Sequence, residues 1–193
     1  MQSRISHRLI AIEGLDLAGK TITATVLAAR LSAKYVATPL QPLSSVRYSF
    51  DEVSSDGRFL FYLASVIHAS DQIRQYLLSG DVVCDRYVYS TIAYHRALGV
   101  NTEIVKWEDL AIVRPVLAVY LTATQESRRG RMSGRRVVTD EDKSERLQRA
   151  VEKEFERMGL LRVDTTNLSV DDVVSLIQDA LTSRSWRPER ATN

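Results

Sequence analysis

The sequence predicts an α/β fold of three layers, α/β/α, around a central five-stranded parallel sheet. Three observations carry the prediction: an apolar run at 9–12 leads through a glycine-bearing turn into a helical stretch, four more short apolar runs follow, and helical spacing of apolar residues separates each run from the next. Residues 1–184 are read as one domain with a short arginine-rich lid at about 125–142, and 185–193 as a disordered polar tail.

Bulk composition bounds this reading. A chain of 193 residues with 45% hydrophobic content can bury one core without disulfides or metal. Lys and Arg number 26 against 24 Asp and Glu, a net charge of +2, so neither nucleic acid nor an acidic membrane surface is an expected partner. The one cysteine, Cys84, cannot pair within the chain and reads as a small core hydrophobe, which suits a reducing cytoplasm. No apolar run approaches the roughly 20 residues of a membrane helix, and residues 1–8 lack the apolar stretch of a secretory signal. A soluble, cytoplasmic protein is expected.

The first strand, 9–12, runs into Glu13-Gly14-Leu15-Asp16-Leu17-Ala18-Gly19-Lys20-Thr21, which meets the phosphate-binding pattern G-x-x-x-x-G-K-[ST] at every fixed position. Each residue type has a physical role there. Glycines let the backbone curl so that successive N–H groups from Gly14, Leu15, Asp16, Leu17, Ala18 and Gly19 converge on a triphosphate, Lys20 adds a cation for the β- and γ-phosphates, Thr21 offers a hydroxyl to Mg²⁺, and the following helix presents its positive end. This strand, loop and helix order is that of the P-loop NTPase fold, and a helix is expected over about 21–34.

A second strand at 35–38 is stopped by Pro39 and Pro42, leaving a loop at 38–45 where ligands of open α/β sheets gather. A short helix at 46–50 carries Arg47, its one strong phosphate-capable group. From Gly57 the apolar positions Phe59, Leu60, Leu63, Ile67, Ile73 and Leu77 recur at helical spacing until Ser79-Gly80. The strand 82–84 follows, with Asp85-Arg86-Tyr87 directly at its carboxyl end. Helices are expected over 90–98 and about 102–113, then a strand at 116–121 introduced by Pro115. Arg128, Arg129, Arg131, Arg135 and Arg136 crowd the next stretch, which is either a solvated face or a phosphate clamp. A charged amphipathic helix at 141–158, a strand at 160–163, a turn at 164–167 and a closing helix at 170–181 complete the chain.

These motifs together resemble the thymidylate kinases of the nucleoside monophosphate kinase group, over most of the length. The resemblance rests on Ile12-Glu13-Gly14-Leu15-Asp16 with Ala18-Gly19-Lys20-Thr21, on Asp85-Arg86-Tyr87 with Ser90 and Ala93-Tyr94, on the strand 116–121 and on the arginine-bearing lid. The Gly-Leu-Asp form of the loop is the specific element. The resemblance implies ATP and Mg²⁺, a nucleoside monophosphate acceptor, first of all dTMP, and a homodimer packed through helices. It further implies that Asp16 meets the acceptor's 3′-hydroxyl, that Arg86 holds the acceptor phosphate, that Asp85 and Thr21 serve Mg²⁺, and that Tyr94 stands where a ribose 2′-hydroxyl would be. Some members place an arginine where Leu17 stands here and others supply it from the lid, so the resemblance gives that role to Arg131 and Arg135. Arg128 and the turn at 164–167 are the candidates for adenine.

The chain departs from the family at two places. An Arg-Glu-Pro-Gly-Gly-like segment is replaced by Ala37-Thr38-Pro39-Leu40-Gln41, which leaves Arg47 as the candidate substitute. A family Asp-Arg pair, whose arginine recognises thymine, aligns with Ala64-Ser65, and His95 replaces a glutamine close by. Phe61, Tyr62 and His68 are candidate base contacts or core residues. Another deoxynucleoside monophosphate, a modified nucleotide or a biosynthetic small molecule is the alternative acceptor, and a silent nucleotide-binding regulator a further alternative.

Overall fold

Five parallel strands stand in the order β2-β3-β1-β4-β5: β1 Leu9–Gly14, β2 Lys34–Ala37, β3 Val82–Asp85, β4 Leu117–Thr122 and β5 Leu161–Asp164. The computed structural model describes residues 7–50, 52–132 and 145–183. The helices are α1 Lys20–Arg30, α2 Leu43–Val46, α3 Ser55–Tyr76, α4 Val88–Ala97, α5 Gln125–Met132, α6 Glu145–Glu156 and α7 Val170–Thr182, with 3₁₀ turns at Arg47–Phe50, Thr102–Ile104 and Trp107–Asp109.

Strand parity distributes the core. In β1, Leu9 and Ala11 face one side, joining Phe59, Leu63 and Val66 of α3 and Val88 and Ile92 of α4. Ile10 and Ile12 face the other, against Ala24, Leu27 and Ala28 of α1 and Val173, Val174 and Ile177 of α7. A third cluster joins α4 to α6, where the Tyr120 and Phe155 rings stack at 4.7 Å. The sheet is thus covered on both faces, which is why its strands read as continuous apolar runs.

Several stretches differ from the sequence reading: the loop expected over 38–45 already turns helical at Leu43–Val46, and the helix expected over 46–50 is a 3₁₀ turn, Arg47–Phe50. Helix α1 stops at Arg30 rather than 34, because Ser32 turns to φ +50° and the Ala33 and Ser32 amides close back on the Ala28 and Ala29 carbonyls at 2.8 and 3.2 Å. Lys34 is thereby released to begin β2. The helix expected over 102–113 is instead two 3₁₀ turns and an extended segment. Val105 is extended, and Arg114 donates to the carbonyls of Trp107, Glu108 and Leu110, so its guanidinium takes carbonyls that a continuing helix would use. The apolar spacing was real, but it serves packing: Val105, Trp107, Leu110 and Val113 lie against the α3 and α4 side of the core. The expected start of the charged helix at 141, Arg135, Arg136 and the 185–193 tail lie outside the described residues.

Candidate active site

The carboxyl ends of β1 and β3 meet the amino end of α1 around a cavity of about 700 Å³. Parity decides what enters it. On β3, Val83 faces α1 and so does Asp85 two residues on; Arg86, one step further, crosses to the α4 side. Both groups therefore converge on the loop from opposite sides of the strand.

The loop backbone is built for close approach. Gly14 lies at φ +139°, and a Cβ there would stand 2.3 Å from the Leu121 carbonyl oxygen, so no side chain fits between β1 and β4. Gly19 caps α1 at φ +93°, offers no side-chain acceptor to the first-turn amides, and no acidic residue sits in that turn. The positive helix end is left for an anion, as phosphate binding requires. Leu17, at φ +67°, is the non-glycine residue of the loop in the left-handed region.

Lys20 is 6% exposed and donates to the Leu15 carbonyl at 2.6 Å, with Asp16 Oδ1 at 3.6 Å. Burial, and then the charge of Arg86, push its pKa from 10.5 down to about 8. A polyanion arriving at the loop would reverse that push by supplying the missing negative field. Thr21 donates to Asp85 Oδ2 at 2.6 Å, and Tyr35 Oη lies 3.4 Å from the same oxygen. Hydroxyl and carboxylate oxygens are the hard ligands Mg²⁺ prefers. Among the described residues no cluster of three or more His, Cys, Asp or Glu could hold a metal, so this pair fits an ion that takes the rest of its shell from phosphate and water.

Arg86 is gripped along its whole length. Its backbone sits at φ +65°; its amide donates to Ile12 at 2.9 Å, and its carbonyl accepts from the Thr38 hydroxyl at 2.9 Å. Its guanidinium donates to Asp16 Oδ1 at 2.6 Å, to the Gly14 carbonyl at 3.2 Å and to Ser90 Oγ at 3.2 Å, and it lies 5.3 Å from the Tyr94 ring centroid. The side chain remains 23% exposed, and Arg47 and Thr38 line the same cavity. Behind Arg86, fully buried Glu13 accepts from the Tyr87 amide at 3.0 Å and from Ser90 Oγ. Sequence reasoning passed over Glu13. Its signal was a carboxylate ending an otherwise apolar strand, which must find donors or neutralise.

Helix α5 brings Arg131 to the loop: its guanidinium donates to the Leu17 carbonyl at 3.0 Å and to the Thr165 carbonyl at 2.9 Å. Thr165 belongs to the turn at 164–167 expected near adenine; its hydroxyl, 3.0 Å from the Ala18 and Thr122 carbonyls, instead ties the β5 end to the loop. Arg128 does not reach this cavity. It is 7% exposed and pairs with Glu152 at 2.6 Å and Gln148 at 3.1 Å, clasping α5 to α6 beside a separate cavity of about 270 Å³.

The expected base contacts do not line the cavity either. Ser65 is 1% exposed and donates back to the Phe61 carbonyl at 2.8 Å, since the phase of α3 turns this position into the packing with its neighbours. Phe61 is covered by the Phe50 ring, stacked at 3.9 Å and 12°. His95 is buried beside Phe59 and Tyr62, at 5.3 and 5.8 Å between centroids. Its Nδ1 donates to the Thr91 carbonyl at 2.7 Å, Nε2 is buried with no hydrogen-bond partner among the described residues, and burial lowers its pKa from 6.5 to about 4. His68 is held on the Gln41 carbonyl at 3.1 Å.

A family model described as thymidylate kinase matches residues 12–177. A probable thymidylate kinase of Methanocaldococcus jannaschii is 27% identical over 174 residues, covering 88% of this chain and 93% of its own. The thymidylate kinase of Schizosaccharomyces pombe is 27% identical over 207 residues and covers 95% of each chain. Among solved structures, the thymidylate kinase of Candida albicans superposes with a TM-score of 0.76 at 23% identity, over 91% of each chain. That of Ehrlichia chaffeensis gives 0.67 at 21% identity, over 91% of this chain and 98% of its own. These two likenesses establish the fold.

Proposed function

Since the chain belongs to the thymidylate kinase family, we propose that it transfers the γ-phosphoryl group of ATP to dTMP, giving ADP and dTDP. The observation that carries this reading is the convergence of Lys20, the Thr21–Asp85 pair and the Asp16–Arg86 pair on one cavity. Phosphoryl transfer asks mainly for alignment and for charge on the phosphoryl oxygens, and these residues supply both.

In the reaction, an oxygen of the acceptor phosphate bonds to the γ-phosphorus as the bond to the β,γ-bridging oxygen breaks. Lys20 and the α1 amino end hold the donor phosphates, while Thr21 and Asp85 would hold Mg²⁺. When bound there, Mg²⁺ would supply positive charge to the donor phosphates. Arg86, aligned by Asp16, takes the acceptor phosphate in its planar fork, and Asp16 meets the acceptor's sugar hydroxyl. Arg47 and Arg131, which both line the cavity, add positive charge when the substrates close it. With Leu17 in the loop, the lid is the remaining source of an arginine for the transferring group, and Arg135 belongs to the same proposal.

A cytoplasmic location goes with nucleotide chemistry of this kind, and no described helix is long and apolar enough to cross a membrane. The homodimer is assigned to α3, whose outer face exposes Leu60 and Ile67 on one helical stripe, two turns apart. Sedimentation should give a dimer, and Leu60→Glu with Ile67→Glu should give a monomer.

An ADP-release assay across ribo- and deoxynucleoside monophosphates tests the activity. The expected result is turnover highest with dTMP; no turnover with any of them overturns the proposal.

A further inference from the structure

Glu13 does not line the cavity, yet through the Tyr87 amide and the Ser90 hydroxyl it is tied to both ends of Arg86, which does. It is 0% exposed at the end of β1, on the parity that faces α4. One oxygen accepts the Tyr87 amide at 3.0 Å, the peptide group that follows the left-handed Arg86. The other accepts the Ser90 hydroxyl, and Ser90 Oγ in turn accepts from Arg86 Nη1 at 3.2 Å. The polarity of this chain is forced. The guanidinium can only donate, so Ser90 turns its lone pairs to Arg86 and its proton to Glu13 Oε2. Facing an apolar residue instead, the hydroxyl would have no acceptor to hold that orientation.

We propose that Glu13 is a positioning residue for phosphoryl transfer: it locks the strained backbone of Arg86 through the Tyr87 amide and the Arg86 guanidinium through the Ser90 hydroxyl. The inference rests on the proposed kinase reaction and adds to it a residue that touches neither nucleotide. Burying a carboxylate this completely is unfavourable in itself, and burial pushes its pKa from 4.5 up to about 7. A residue kept only for stability would not be chosen for such a place.

Three variants separate the roles. Glu13→Gln keeps the volume and an oxygen for the Tyr87 amide, but its NH₂ donates to Ser90, which reverses that one link and deprives the Ser90 proton of its acceptor. Ser90→Ala removes the relay and leaves the amide clamp. Both should lower kcat about tenfold and raise KM for dTMP, with KM for ATP within about twofold, and the double variant should be no worse than either single one. Glu13→Ala, which removes both arms, should lose about a hundredfold, the scale of a one-ångström misplacement. The melting temperature of Glu13→Gln should match or exceed that of the parent. Wild-type kcat and dTMP KM in Glu13→Gln overturn the inference, as does a loss shared equally by both substrates and accompanied by a fall in melting temperature. The Tyr87 amide proton resonance gives a readout without turnover. It should shift upfield in Glu13→Ala; an unmoved resonance overturns the clamp even if the parent protein proves inactive on dTMP.

Discussion

The phosphate side of the site and its aromatic flank are held in opposite ways. Around the phosphates, polar groups grip one another and the backbone: Arg86 to Asp16, Thr21 to Asp85, Lys20 to Leu15, Arg131 to Leu17. Around the expected base site, aromatic rings pack: Phe50 on Phe61, Phe61 edge-on to Tyr62, Tyr62 and Phe59 about His95. Hydrogen bonds fix direction, whereas ring packing fixes volume and tolerates exchange. The phosphate side is therefore fixed in direction, and the aromatic side, none of whose rings lines the cavity, is fixed in volume and open to exchange.

The sharpest break between the halves is in rate. Lys20→Ala should lower kcat by about a thousandfold, because it deletes charge needed in the transition state, with little change in thermal stability. Near-parental turnover would remove the phosphate loop from the mechanism.

The halves should also oppose each other in pH. Glu13 keeps its proton to about 7 in the folded state against 4.5 when unfolded, so its contribution to stability is full below 4.5 and lost as pH rises through 7. His95 stays neutral down to about 4 against 6.5 unfolded, so its contribution is full above 6.5 and lost as pH falls through 4. Each can reach about 3 kcal/mol, and between 4.5 and 6.5 they offset one another. Denaturant titrations should show Glu13→Gln losing stability more steeply than the parent as pH falls from 6.5, and His95→Gln losing it more steeply as pH rises toward 7. Parallel pH curves for both variants would refute the opposition.

The smallest effect belongs to Phe50→Ala, which bares the face of Phe61. KM for dTMP should fall about fivefold if that face receives a base, since the low end of a base-stacking contribution, about 1 kcal/mol, corresponds to that factor. An increase would make Phe50 part of the platform instead.

The same contrast governs what could be read from the chain. Lys20, Thr21, Asp85 and Arg86 were legible because a strand, a loop and a helix fix their spacing locally, and a parallel sheet brings the next strand end beside them. Ser65 and His95 were not, because which way α3 and α4 turn depends on their packing together. An arginine placed at 65 would enter a position 1% exposed, so alignment with a recognition residue did not make it one. The stretch 102–113 misled for a related reason: its apolar residues keep helical spacing while Arg114 takes the carbonyls a helix needs. Glu13 and Thr165 gain their meaning from partners 74 and 147 positions away. No short pattern carries such a pairing.

Arg86 at φ +65° has a consequence for selection experiments. Arginine pays a conformational penalty there that glycine escapes, about 1 kcal/mol or more. In a randomised library sorted only for heat resistance, glycine or asparagine at 86 should be enriched, and those survivors should be the inactive clones. A ranking by melting temperature at this position would run opposite to a ranking by catalysis, so position 86 can report which of the two pressures a screen has applied.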